Sequence, residues 1–585
     1  MDDKGQSWDE SATMKRPKPL DLSHHFSDVT NNRQPSRVKG MYKYFILPGV
    51  KNLAGGLPHF SAFPYDTLEA AVAKPDRFDT GVGADPSPSP SPGQLHLKVP
   101  KESDASDGLT AVDLRTALQY GTADGFPPLR AFVRRFTRDY LHPNVPYEGG
   151  PEVILTCGST DGFAKVIELF TNPWMEEKDW IGDRQGILCE EFTYMNAIQT
   201  VKPRGINVVP VATDANGMKA FGSGGLADVL ENWDFSKGRR PHLMYTVTIG
   251  QNPTGTLMPV ERRREIYALC QKYDIIIVED EPYWNLQYRS AGDGGDNGSG
   301  QDHDHHAPGA KSSRGTFLDQ LLPSYMSIDV DGRVVRLDTF SKTIAPGARL
   351  GWVTAQPAVT ERLARITEVS TQQPSGFVQV TVAKLLLSQQ EPTATASRDE
   401  PDLGGWKMDG WVRWLEGLRG MYERRMRLMC ETLDEGKNVP LDYDDHPDGW
   451  TMVQQVPMYE FNWPGAGMFV WIKIRSDTHP LVGQYGAQHV CKKLWRFLVE
   501  EPFRCLVAPG WVFAPTAEAE ASAFECVRLC FAPMEEQEVD VYTRRFVAGC
   551  RAFWQLKSLD DIPDDDDDDD DEASILPEVA RVHLC

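Results

Sequence analysis

The sequence predicts an α/β protein: a large domain with a mostly parallel sheet flanked by helices, and a smaller α+β domain. Three observations point there. A chain of 585 residues is too long for one ordinary core. Between residues 115 and 375, short continuous apolar runs alternate with helical stretches, which is how strands buried on both faces read. After residue 380 that alternation stops, and a long helical stretch precedes two strand-like runs and a last helix.

The elements follow in order. Strands are expected over residues 153–156, 186–189, 206–209, 242–247, 275–278 and 333–337, with helices over 162–170 and 260–273 between them. A helix over 411–435, strands over 467–474 and 525–531, and a helix over 536–553 are expected in the smaller domain. The domain reading is an N-terminal segment, 1–114, that joins the smaller domain, then a large domain, 115–375, and a C-terminal small domain, 376–556. An acidic tail, 557–585, follows.

Three segments read as unpacked. Residues 85–93 alternate Pro and Ser, residues 291–311 are rich in Gly, Asp and His, and residues 564–571 are all Asp. The formal net charge is −23, but Asp560 to Glu572 hold eleven acids and no base. Without them about −12 remains, which suits solubility and argues against nucleic acid as a partner. No apolar run approaches the length that crosses a bilayer, so no membrane partner is expected. Met1-Asp-Asp-Lys-Gly shows neither a secretory signal nor an Arg-rich transit peptide, and Cys585 stands last rather than in a prenylation box. Ten scattered cysteines with no Cys-x-x-Cys pair predict reduced thiols in a cytoplasmic protein.

In a parallel sheet, ligands collect at the carboxyl ends of the strands. After the 153–156 run stands Gly158-Ser-Thr-Asp-Gly162; Ser159 and Thr160 at a helix start can hold an anion, or can simply cap the helix. After 275–278 stands Glu279-Asp-Glu-Pro-Tyr283. A carboxylate there needs a cation or donors, and either a salt bridge or a protonated ring nitrogen against Asp280 satisfies that need. After 333–337 stands Asp338-Thr-Phe-Ser-Lys342, with Arg349 seven residues further across a Pro-Gly turn. Thr339, Ser341 and Arg349 can hold a phosphate, and an enclosed Lys342 becomes nucleophilic towards an aldehyde. A surface lysine beside a turn fits this segment equally, and a Ser-Lys hydrolytic dyad would leave Asp280 without a role. Asn252, in Gln251-Asn-Pro-Thr-Gly255, offers an amide to a ring oxygen, and Tyr194, after Glu190-Glu-Phe-Thr, can stack on a flat ring or pack in the core.

In this order and spacing, Gly158-Ser-Thr, Tyr194, Asn252-Pro-Thr-Gly, Asp280-x-Pro-Tyr283 and Ser341-Lys342 with Arg349 resemble the fold-type I pyridoxal-phosphate aminotransferases. The resemblance spans residues 20 to 555 outside the insertions. Leu22-Ser-His-His-Phe, Gln34-Pro-Ser-Arg-Val-Lys-Gly, Asn52-Leu-Ala-Gly-Gly-Leu-Pro and Phe63-Pro-Tyr-Asp-Thr-Leu are similar to the fungal aromatic amino acid aminotransferases, a branch related to the aminoadipate and kynurenine enzymes.

The resemblance implies the cofactor pyridoxal 5'-phosphate, carried by Lys342 as a Schiff base, with Lys342 also the proton shuttle. It implies that Asp280 pairs with the ring nitrogen, that Asn252 and Tyr283 bond the ring oxygen, and that Tyr194 stacks on the ring. It assigns the phosphate to Ser159, Thr160, Thr339, Ser341 and Arg349. It places Arg528 on the substrate α-carboxylate, Gly56 close to that carboxylate and Lys39 near the substrate side chain. Tyr120, otherwise an ordinary core aromatic, matches a tyrosine that reaches the phosphate of a neighbouring subunit, which implies a homodimer. Two positions depart from the pattern: His59 stands where the family usually has Asn, and Phe192 where it usually has Pro, and both bear on substrate range. His303, His305 and His306 are spaced to bind a metal but lack partner ligands, so a solvated loop and no metal are expected.

The expected activity is ping-pong transamination of an aromatic L-amino acid with a 2-oxo acid such as 2-oxoglutarate. An aminoadipate- or kynurenine-type transaminase, a carbon–sulfur lyase or a cyclopropane-forming synthase would use the same Lys342 and Asp280. A transcription regulator is disfavoured by the charge and by the short stretch before Leu22, and a non-catalytic binding protein by Lys342, Asp280, Arg349 and Arg528 standing together.

Overall fold

The computed structural model describes residues 16–37, 39–41, 44, 47–50, 53–81, 93–289, 317–387, 406–443 and 452–563. The 291–311 insertion, the Asp564–Asp571 run and nearly all of the Pro/Ser segment therefore lie outside the described residues. No described helix is long and apolar enough to cross a membrane.

The chain divides into two compact units. One comprises residues 1–423 with 464–467, the other 424–463 with 468–585. This division differs from the sequence reading, which gives the N-terminal segment to the smaller domain and starts that domain at 376. Hydrophobic burial explains the difference: Leu95, Leu97 and Val99 share one apolar cluster with Leu129, Phe132, Trp352, Val380 and Trp411.

The first unit holds strands β1 (Thr67–Ala73) and β2 (Gln94–Pro100), which form an antiparallel pair. Seven more strands follow: β3 (Glu152–Thr156), β4 (Gly186–Glu190), β5 (Asn207–Val211), β6 (Leu243–Thr246), β7 (Ile276–Asp280), β8 (Val334–Thr339) and β9 (Gly351–Ala355). They build one sheet in the order β3-β9-β8-β7-β6-β4-β5. Each expected strand is present with its ends moved by at most two residues. β9 was not expected. It follows the Arg349 turn directly and enters antiparallel between β3 and β8, so the sheet is mostly rather than wholly parallel.

Helices cover both faces of this sheet. They include α1 (Pro127–Arg135), α2 (Ser159–Phe170), α3 (Met195–Val201), α4 (Val260–Lys272), α5 (Pro357–Val369) and α6 (Gly376–Leu387). Leu188, Met244, Ile277 and Val334 point to one face, where Ile266, Leu269 and Cys270 of α4 cover them. On the other face α2 lies so close that a Cβ on Gly162 would stand 3.0 Å from Val353 and 3.4 Å from Leu337.

In the second unit the sheet is antiparallel, as an α+β domain requires. A hairpin pairs β10 (Asn438–Tyr443) with β11 (Met452–Pro457). The strands β12 (Tyr459–Phe461), β13 (Phe469–Ile474), β14 (Ala508–Pro509) and β15 (Cys526–Cys530) run in the order β12-β13-β15-β14. The helix α7 (Lys407–Gly436) contains the unit boundary, and α8 (Ala487–Val499) packs on α9 (Glu536–Trp554). Glu535 and Glu538 form a reciprocal cap at the start of α9, and Val539, Thr543, Phe546, Val547, Cys550 and Phe553 recur at helical spacing on its buried face.

Candidate active site

Side chains alternate along a strand, so Asp280 at the end of β7 shares the α2 face with Leu337 rather than that of Glu279. The side chain is 6% exposed. Tyr245 of β6 donates its hydroxyl to Asp280 Oδ2 at 2.9 Å, while the buried Oδ1 has no hydrogen-bond partner among the described residues. Burial pushes the carboxyl up to about 7, against the lowering by Tyr245 and Arg336. A buried polar atom left unmet costs about 1–3 kcal/mol, so this oxygen is placed for a group the chain does not supply. Tyr245 is the residue that sequence reasoning missed. Its signal was a polar tip within the buried run Leu243-Met244-Tyr245-Thr246, and its ring is fixed edge-on by Phe163 of α2 at 5.0 Å.

An anion cradle stands beside it. α2 begins at Ser159 and Thr160, whose amides lie in the first turn where no intrahelical acceptor exists. Its N-cap Gly158 has φ 91°, and a Cβ there would stand 2.6 Å from Arg349 Nη2, so both the backbone and the neighbour demand glycine. The β8–β9 loop brings the remaining groups. Thr339 and Ser341 hydroxyls lie 2.9 Å apart, and Arg349 reaches Ser341 Oγ at 3.4 Å and the Cys157 carbonyl at 3.3 Å. Lys342 follows Ser341 in the same loop and is half-buried; Trp414 pins its neighbour by donating to the Thr343 carbonyl at 2.7 Å.

Tyr194 joins the two parts. It caps α3, takes a hydrogen bond from Asn196 at 2.7 Å, and its phenol is raised chiefly by burial, with Thr160, Asp280 and Arg349 close enough to perturb it. Asn252 and Tyr283 are buried. The turn before Asn252 is braced by Gln251, which donates to the Phe192 carbonyl at 2.7 Å and accepts from Thr254 N at 2.9 Å. That brace uses the backbone of Phe192, so the departure at this position leaves it intact.

Ser159, Thr160, Tyr194, Asp280, Thr339, Ser341, Lys342 and Arg349 therefore converge at the carboxyl ends of β3, β4, β7 and β8. The other expected site residues stand elsewhere. Gly56 is exposed with open space where a Cβ would be, and Lys39 lies in a short helical turn whose side chain is outside the described residues. Tyr120 is no core aromatic; it is 61% exposed beside Leu57, His59 and Phe60, and with them lines a cavity of about 550 Å³. In the second unit Arg528 of β15 is held between the rings of Phe469 at 4.3 Å and Phe513 at 4.6 Å.

These residues fit pyridoxal 5'-phosphate. A protonated ring nitrogen would meet the orphaned Asp280 Oδ1, and the cradle of amides, hydroxyls and guanidinium suits a phosphate. The family model for aminotransferases of class I and II matches residues 93–546. The chain belongs to this family. The aminotransferase is 34% identical over 469 residues to an L-tyrosine:2-oxoglutarate aminotransferase of Tapinella panuoides, covering 79% of this chain and 76% of the relative. It is 31% identical over 538 residues to an aromatic amino acid aminotransferase of Schizosaccharomyces pombe, covering 90% and 97%. The crystal structure of the aminotransferase Aro8 from Candida albicans matches with a TM-score of 0.71 at 30% identity, over 92% of this chain and all of that one. Pyridoxal 5'-phosphate is the cofactor of the family and of this aminotransferase.

Proposed function

We propose that this aminotransferase moves the amino group of an aromatic L-amino acid (phenylalanine, tyrosine or tryptophan) to a 2-oxo acid such as 2-oxoglutarate, in two half-reactions of a ping-pong cycle. The observation that carries the chemistry is the half-satisfied Asp280 beside the Arg349 cradle and Lys342. The aromatic donor class is supported by the relatives, which are similar over 79% and 90% of the chain.

Pyridoxal phosphate, when bound, supplies an electron sink for the bonds at the substrate α-carbon. The chain's residues do the rest. Lys342 binds the cofactor through Nζ and, once released, carries a proton to and from the α-carbon as general base and acid. Asp280 holds a proton on the ring nitrogen, Tyr245 orients Asp280, and Tyr194 lies against the ring. Asn252 and Tyr283 donate to the ring oxygen, and Ser159, Thr160, Thr339, Ser341 and Arg349 hold the phosphate. Arg528, kept planar between two aromatic rings, takes the substrate carboxylate as a bidentate pair, with Gly56 and Lys39 on the substrate side. The proposed active unit is a homodimer in which Tyr120 reaches the neighbouring site; its exposure in the single chain supports this.

The test is an absorbance spectrum of the cofactor-loaded protein before and after L-phenylalanine or L-tyrosine is added without an oxo acid. A visible band that moves to the near ultraviolet, and returns on adding 2-oxoglutarate, is expected. No movement with any aromatic donor, against conversion by L-2-aminoadipate, would overturn the donor class.

A further inference from the structure

A second cluster of ligating side chains lies at the opposite end of β7. Asp274, in the turn between α4 and β7, stands with Oδ2 2.7 Å from His24 Nε2 and 3.0 Å from His25 Nε2. All three atoms lie within 4.8 Å of one another. The two contacts differ in kind. His24 makes a hydrogen bond to Asp274, whereas Nε2 of His25 is close to the same oxygen but has no aligned hydrogen-bond partner. The His25 side chain is only 9% exposed, and its Nε2 stands at ion-pair distance from the Asp274 carboxylate without an aligned hydrogen bond among the described residues. A buried nitrogen in that condition requires a physical account, and an ion shared by the three ligand atoms supplies one.

The surroundings hold the group in place. The His25 ring stacks on His242 at 5.4 Å and 5°, and His242 in turn bonds the Phe170 carbonyl at 3.0 Å. Arg333 approaches the other oxygen, Asp274 Oδ1, at 3.5 Å and is itself paired with Asp331 at 2.9 Å. His24 and Asp274 are about half exposed, at 57% and 49%, so one side of the cluster is open to water.

We propose that His24, His25 and Asp274 bind one divalent transition-metal ion of the zinc class through Nε2, Nε2 and Oδ2, with water in the fourth position. Two imidazole nitrogens and one carboxylate oxygen select zinc, cobalt or nickel over calcium and magnesium, which take oxygen ligands. Metal–ligand bonds of about 2.0–2.1 Å in a tetrahedron set ligand atoms about 3.3 Å apart, so Asp274 has to withdraw by some tenths of an ångström and the two imidazole nitrogens, within 4.8 Å of each other, have to take up that spacing. The ion would tie residues 22–26 to the start of the strand that ends in Asp280. Ser27, next in the chain, already bonds the end of α2 through the Leu169 carbonyl at 2.8 Å. The residues of the proposed active site take no part.

The experiment uses the full-length, cofactor-loaded protein after treatment with a chelator. It is titrated with Co²⁺ and followed by the visible bands of tetrahedral cobalt, then by displacement with Zn²⁺. One Co²⁺ per chain is expected, with affinity lowered in Asp274→Asn and in His24→Gln by more than the roughly 10- to 100-fold that loss of an outer-shell partner costs. His24→Gln, at an exposed position, keeps the test valid if changes at His25 disturb folding. A variant with His303, His305 and His306 replaced by Ala is expected to bind unchanged. Absence of the bands, or binding that survives His24→Gln and Asp274→Asn but is lost in the triple variant, overturns the proposal.

Discussion

The two faces of the central sheet carry buried acids on opposite terms. On the α4 face, Glu279 is met by the Tyr325 amide at 3.0 Å and by Arg336 at 3.5 Å, and Arg336 also grips Asp338 through Nε and Nη2 at 3.0 Å. Burial raises Asp338, and the guanidinium beside it pulls the other way. On the α2 face, one residue along the same strand, Asp280 has among the described residues a single tyrosine hydroxyl and an oxygen with nothing to accept from. Burial alone does not mark a functional acid, since both faces bury theirs. For Glu279 and Asp338 the protein supplies the partners, and for Asp280 it supplies half of them; Glu190 on the α4 face also keeps an oxygen without a partner among the described residues, so an orphaned oxygen marks a ligand site only together with the cradle beside it.

That contrast can be broken by experiment. Replacing Arg336 with Met should have the largest effect, because it strands Glu279 and Asp338 as unpaired buried charges; a loss of about 3–5 kcal/mol is expected in denaturant unfolding. Asp280→Asn should lower kcat/KM by about 10²- to 10³-fold with little loss of folded stability, because no completed pair is broken. If instead Asp280→Asn unfolds the protein and Arg336→Met is tolerated, the two faces have been read the wrong way round.

The smallest effect is on pH dependence. Folded Asp280 is raised to about 7 from an ordinary 3.8, so between those values the folded cofactor-free chain holds a proton that the unfolded chain has released. Stability must therefore fall as pH rises through that window. Melting temperatures of the cofactor-free protein at pH 5 and pH 8 should show this fall, lessened in Asp280→Asn and by cofactor binding. Glu190, on the other face and also raised by burial to about 7, keeps part of the slope in the variant. An unchanged slope in Asp280→Asn would remove Asp280 as its source.

Much of this was legible beforehand, because the signals are local. The strand runs, the helix that opens at Ser159, and the loop from Asp338 to Arg349 each lie within about a dozen residues, and apolar continuity, capping and spacing act at that range. The limits of the two units were not legible, since the burial of Leu95 beside Trp411 joins segments far apart in the chain. Nor was β9, which has no helix before it to announce a strand.

Fold class, the chain order of the strand-forming runs and the residues at their carboxyl ends all follow from local patterns in the sequence. What each of those residues meets follows from packing. Tyr245 reaches Asp280, Arg336 pairs with Glu279, and His24 meets Asp274 across 250 residues. The first two depend on strand register, where a one-residue slip would turn each side chain to the opposite face, and the third on the packing of a short helical turn against the turn before β7.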